Sequence, residues 1–264
     1  MNFNKAFIML GIAFLSQAGL HNSFAANKPQ TVQSPDGHLK IEINTTGDLS
    51  YDVYAGEKAI MTGNTLSIKI GDKVYGHDAR LVKATRKSVN ETFQPFLAFK
   101  SSTVENKYNQ LLLKFKGGYS VEFRAFDDGI AYRFITNLPG KVEVLDEEIG
   151  VRFPEAFRMT LQQCDRFKTS YEERYSHPLS SEWKEGDKMA HLPILAQTGE
   201  GCNIMFSETN LFDYPGAFFR SKGDNGFTSI FPKYPAKQVQ EPDRDRSLKI
   251  EEEAEYIALT DGKR

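Results

Sequence analysis

The sequence predicts a mainly β fold, a large antiparallel β-sandwich with only short helical turns. Three observations point there. Apolar and polar residues alternate with period two over Leu111 to Phe134, similar short runs recur along the chain between turn clusters, and nowhere do apolar residues keep a 3.6-residue period for three turns. Aromatic residues make up 12% of the chain, with 20 Phe and 11 Tyr against 1 Trp, a composition that suits β-sheet cores.

Taken in order, the first element is a leader. MNFNKAFIMLGIAFLSQAGLHNSFA has a positive start at Lys5, an apolar run from Ala6 to Leu15 and a small-x-small site at Ser23-Phe24-Ala25. The apolar run is about ten residues, well short of the roughly 20 that span hydrocarbon. Residues 1–25 therefore read as a secretory signal cleaved after Ala25, leaving residues 26–264 as a soluble, exported and periplasmic chain. About 239 residues (264 minus 25) suffice for one large β domain or two small ones. Net charge moves from -2 to about -3 on loss of Lys5, with no long block of either sign, so neither nucleic acid nor an anionic membrane is expected as a partner.

The expected strands are HLKIEIN (38–44), LSYDVYA (49–55), TLSIKIG (65–71), FLAFKSS (96–102), FRMTLQQ (157–163), NIMFSE (203–208) and AEYIALT (254–260). Between the fourth and fifth lies a three-stranded meander. Leu111, Leu113 and Phe115 oppose Lys114 and Lys116. After Gly117-Gly118, Tyr119, Val121 and Phe123 continue the apolar face against Ser120, Glu122 and Arg124. After the Asp127-Asp128-Gly129 turn come Ile130, Tyr132 and Phe134. One face of this meander should be wet. Ser34-Pro35-Asp36-Gly37 and Gly223-Asp224-Asn225-Gly226 mark further turns. Ser207 to Leu211 is the one place where a helical turn is expected, with Ser207 as its N-cap. The polar stretch 171–188, which carries Trp183, reads as a long loop.

Residues with chemistry form few patterns. No G-x-S-x-G marks a serine nucleophile. His38, His77, His177 and His191 show no zinc spacing, and His191, before Leu192-Pro193, reads as a packed strand residue. No D-x-D/N-x-D/N-G calcium loop exists. Asp127 and Asp128 read as turn formers, Glu251 to Glu253 as a solvated edge, and Asp243 and Asp245 as part of an exposed loop. Cys164 and Cys202 read equally as a disulfide and as two buried thiols. Glu208 is an acid at the end of NIMFSE, followed by a Tyr-Pro-Gly turn. It reads either as a functional group at a sheet end or as a carboxylate placed by a helix dipole. Glu172 and Glu208 could in principle flank a glycosidic bond, but spacing alone gives that little support.

SPDGHLKIEI, YNQLLLKFKGGYSVEFRAFDDGIAYRF, SYEERY, HLPILAQTGEGCNIMFSETNLFDYPGAFF and AEYIALTDGKR, in that order, resemble the N-terminal domain of glycoside hydrolase family 97, a family of exported α-glucosidases and α-galactosidases. The resemblance runs from about Val32 to Arg264. It implies a β-supersandwich followed, in the family, by a (β/α)8 barrel that carries the catalytic carboxylates. The sequence ends where that barrel would begin, so no catalytic residue is expected in it. The resemblance further implies that Glu208, opening E-x-x-L-x-x-Y-P-G with Leu211, Tyr214, Pro215 and Gly216, contributes one ligand to a Ca2+ completed by barrel glutamates. Calcium takes six to eight oxygens, so the chain alone should bind it weakly at most. The implied partners are an α-linked oligosaccharide or galactoside and a barrel in cis or in trans. Tyr171, Glu172, Tyr175, Trp183 and Tyr214 are expected at the substrate rim or the barrel interface. The competing expectation is a free-standing carbohydrate-binding or interaction module docking onto a separate protein.

Overall fold

The computed structural model describes residues 28–199, 201–241 and 248–263. The leader and Asp243 and Asp245 lie outside these. The first nine strands are β1 (Gln30–Gln33), β2 (Leu39–Asn44), β3 (Thr46–Gly47), β4 (Ser50–Ala55), β5 (Lys58–Ile70), β6 (Lys73–Tyr75), β7 (Ala79–Phe93), β8 (Val104–Phe115) and β9 (Tyr119–Phe126). Then come the long β10 (Gly129–Arg152), β11 (Arg158–Cys164), β12 (Tyr175–Ser176), β13 (Met189–Gln197), β14 (Asn203–Phe206), β15 (Phe218–Gly223), β16 (Gly226–Ile230), β17 (Pro235–Gln240), β18 (Leu248–Glu253) and β19 (Ala258–Lys263). The named strands pair antiparallel throughout, and the described residues contain no helix.

β10 is the spine. Its successive stretches pair with β9 (Gly129↔Phe126 to Thr136↔Tyr119), β19 (Val142↔Thr260), β5 (Glu147↔Ile68) and β16 (Val151↔Phe227). One strand thus joins the β7–β8–β9 meander, the β1–β2–β4–β5 sheet and the β11–β16 sheet around a shared core. Ile41, Ile43, Leu111, Leu113, Phe115, Val121, Phe123, Met159, Leu161 and Phe227 are at most 1% exposed within it. The alternation read from sequence is the cause: Val121, Phe123 and Ala125 point inward, and Leu111↔Phe123 and Leu113↔Val121 pair across the ladder.

The structure departs from the expectations in four places. The outer face of the meander is partly covered, since Glu122 is 6% exposed and takes Arg124 at 2.8 Å and Arg133 at 3.3 Å. FLAFKSS is not a strand. The β7–β8 ladder closes at Phe93↔Val104, and Pro95, which has no N–H to donate, begins an irregular loop instead. Of AEYIALT only the part from Ala258 is strand; before it, Ala254 N–H donates to Tyr234 O and Tyr256 O accepts the Tyr234 N–H, each at 2.9 Å, outside any named ladder. The helical turn at 207–211 is absent, because Asn210 (φ 63°) and Asp213 (φ 52°) turn the backbone out of any helical path.

Phe96, Leu97 and Phe99 on the β7–β8 loop are 100%, 74% and 91% exposed. They bury almost nothing, so Phe96→Ser and Phe99→Ser should change unfolding free energy by less than about 0.5 kcal/mol. Urea denaturation checks this; a loss above about 1 kcal/mol would mean that the loop packs in solution.

Candidate functional site

β14 ends at Phe206, and residues 207–217 return the chain to β15 as an irregular loop. Glu208 is half-buried in this loop, and its two carboxylate oxygens both accept the Ala217 N–H, each at 3.1 Å. Burial raises its pKa, and the Ala217 N–H, which favours the charged form, works in the opposite direction. Gly216 leaves room for this arrangement: a Cβ there would lie 3.2 Å from Glu208 Oε1. The carboxylate is therefore shaped by the Tyr-Pro-Gly turn behind it rather than by a helix dipole.

Tyr214 belongs to the same loop. Its ring stands edge-on to Phe231 at 5.9 Å, and its hydroxyl donates to Glu147 Oε2 at 2.6 Å. Burial pushes the Glu147 carboxyl up to about 7; the Tyr214 hydrogen bond pulls it down, while the negative charges of Glu208 and Asp146 push it further up. Sequence reasoning missed Glu147. Its only signal was an acidic run, Asp146-Glu147-Glu148, in the middle of a strand that otherwise reads as half-buried.

The other expected rim residues separate into two groups. Tyr171 and Tyr175 are exposed, at 56% and 54%, and Glu172 is exposed with them on the 165–175 segment. Tyr171 takes a positive φ of 61° and packs edge-on to His191 at 4.7 Å and near Phe218 at 6.4 Å. Phe218 directly follows Ala217, so this segment and the Glu208 loop meet at the start of β15. Trp183 corrects the expectation. It is 2% exposed, donates from Nε1 to Lys188 O at 3.1 Å and packs 5.8 Å from Phe227, so it is a core residue and not part of an exposed rim. His191 is buried in β13 as expected. Cys164 and Cys202 are both free thiols.

A shallow open groove of about 370 Å3 lies beside the loop, lined by Lys141, Asn210, Phe212, Asp213, Leu259 and Asp261 among others. Of its lining, Phe212 and Leu259 are exposed at 69% and 36%, and Leu211, next in the loop to Phe212, is exposed at 44%. Among the described residues no group of three or more His, Cys, Asp or Glu stands close enough to hold a metal ion. Carboxylate oxygens are the right donors for calcium, and Glu208 offers two of them with lone pairs to spare, but it falls far short of the required number. A cation here needs ligands from elsewhere.

A family model described as Glycosyl-hydrolase 97 N-terminal matches residues 32–252. The chain belongs to this family. A retaining alpha-galactosidase of Bacteroides thetaiotaomicron is 32% identical over 251 residues, which is 90% of this chain and 38% of that protein. The chain thus spans little more than a third of the length of this curated relative. Two solved structures share the fold. One is a Glycoside Hydrolase Family 97 enzyme in complex with acarbose from Pseudoalteromonas sp. strain K8, with TM-score 0.66 and 22% identity over 76% of this chain and 31% of that one. The other is a beta-arabinopyranosidase, with TM-score 0.69 and 23% identity over 77% of this chain and 35% of that one. In family 97 terms this chain is the N-terminal β domain, a mainly β unit as its sequence predicts.

Proposed function

We propose that this chain acts as the non-catalytic N-terminal domain of an exported, periplasmic α-glycosidase. In that role it shapes the active-site rim, contributes to binding of an α-linked oligosaccharide or galactoside, and supplies Glu208 to a calcium site completed by a catalytic barrel in cis or in trans. The observation that carries this reading is the Glu208 carboxylate, oriented by the Ala217 N–H on a loop bordered by exposed Leu211, Phe212 and Leu259. Apolar side chains exposed beside a half-buried acid mark a surface suited to a partner. A bound calcium would supply Lewis acidity beside the sugar and tie two domains together; the part of Glu208 is to present two oriented oxygens to it. The alpha-galactosidase activity of the Bacteroides relative favours galactosides as the substrate class.

The purified chain should not hydrolyse p-nitrophenyl α-galactoside or α-glucoside, with or without Ca2+. Added to a family barrel, it should give Ca2+-dependent turnover, and Glu208→Gln should weaken the apparent Ca2+ affinity roughly tenfold or more. Turnover by the chain alone, abolished by Glu208→Ala, would overturn the reading. Exposed Tyr171 and Tyr175 favour a second one, a free-standing carbohydrate-binding or interaction module whose rings stack on sugars. Calorimetry with maltooligosaccharides and galactosides separates the two, because only the module should release heat without a barrel.

A further inference from the structure

Glu208 owes its geometry to the Ala217 N–H, and Ala217 is three residues after Tyr214. Little freedom lies between those two residues. Pro215 locks its own φ near about -65°, and the space beside Gly216 is taken up by Glu208 Oε1. Where Tyr214 sits therefore largely decides where the Ala217 N–H points.

Tyr214 is in turn anchored from outside the loop. Its hydroxyl donates to Glu147 Oε2 at 2.6 Å, and its ring rests edge-on against Phe231. Glu147 is a firm post. Its strand β10 pairs with β5 at Ile68, its carbonyl accepts the Ser229 hydroxyl at 2.7 Å, and that hydroxyl oxygen accepts the Ile149 N–H at 2.8 Å. The path runs from the most extensively paired strand of the fold to the one acid of the loop whose two oxygens share a backbone N–H.

We propose that Glu147 is a positioning residue for Glu208, acting through the Tyr214 hydroxyl and the Pro215-Gly216-Ala217 turn. Its importance for a metal rests on the calcium role proposed for Glu208; the relay itself does not. A conserved volume with a lost hydroxyl is the sharpest probe, because Tyr214→Phe keeps the ring on Phe231 and removes the tie to Glu147.

Amide hydrogen exchange on the chain as it stands tests this. In Tyr214→Phe the Ala217 amide should exchange on the order of tenfold faster, the effect of losing one charge-assisted hydrogen bond. The Phe219 amide, two residues on in β15, should keep its rate. Glu147→Ala should reproduce the change, and the double variant should add nothing to it. Glu147→Gln should restore slow exchange, because its carbonyl oxygen still accepts the hydroxyl. An unchanged Ala217 rate in Tyr214→Phe would overturn the relay, and so would equal acceleration of Ala217 and Phe219, which signals general loosening of β15. If Glu208→Gln leaves Ca2+ affinity intact in the presence of a barrel while Tyr214→Phe still frees Ala217, the relay stands and only the calcium reading falls.

Discussion

Phe227→Ala should destabilise the domain by about 3–5 kcal/mol, among the largest effects available to a single truncation. Phe227 is 1% exposed on β16. The rings of Phe153, Trp183, Phe206 and Phe219 surround it at centroid distances of 5.9, 5.8, 5.4 and 5.4 Å. Those neighbours come from the residue just after β10, the 177–188 loop, β14 and β15, so one ring joins four parts of the chain. Removing it forfeits its own burial and leaves a cavity into which neighbours held by the β13–β14 and β15–β16 ladders collapse poorly. Domains carry only about 5–15 kcal/mol in total, so the variant should unfold at a markedly lower urea concentration. Phe227→Leu should recover most of the loss. A cost below about 1 kcal/mol for Phe227→Ala would show that the aromatic cluster is not tightly packed.

The same cluster shows what could and could not be read from sequence. Strict alternation over 111–134 gave the meander and its pairing, since register follows from which residues are apolar and where the turns fall. Trp183 sits in a polar stretch without period, and local pattern placed it at the surface; only its packing on Phe227 from a distant strand reveals it as core. FLAFKSS has the composition of a strand, but a strand needs a partner edge, and composition does not report one. At the site, Glu208 was legible because it opens a recognisable run. Glu147 was not, because 67 residues separate it from Tyr214 and their contact exists only once β10 and the loop are brought together. The loop shape was equally hidden: Asn210 and Asp213 both take positive φ, which Asn and Asp tolerate but which no hydrophobic periodicity records.

Glu147 also makes the stability of the fold depend on pH in a defined direction. Burial raises its carboxyl from an ordinary value of 4.5 to about 7 in the folded chain, so the folded state holds the proton more tightly than the unfolded one. That contribution is fully present below about pH 4.5 and is lost as pH rises through about 7. A tenfold difference in proton affinity between the two states corresponds to about 1.4 kcal/mol; allowing for the partial exposure of the side chain, the loss across the window is about 2–3 kcal/mol. Glu147→Gln keeps an acceptor for Tyr214 and removes the titrating group. The variant should therefore match the parent near pH 4.5 and exceed it by about 2–3 kcal/mol at pH 8, measured by urea denaturation across that range. Tyr214→Phe should act the opposite way. Its hydroxyl favours the charged form of Glu147, so removing it raises the carboxyl further and carries the loss of stability to higher pH. A parent and Glu147→Gln that differ by the same amount at every pH would show that Glu147 does not titrate in this window, whereas a gap that opens between about pH 5 and 8 and moves with Tyr214→Phe ties the titration to this one hydrogen bond.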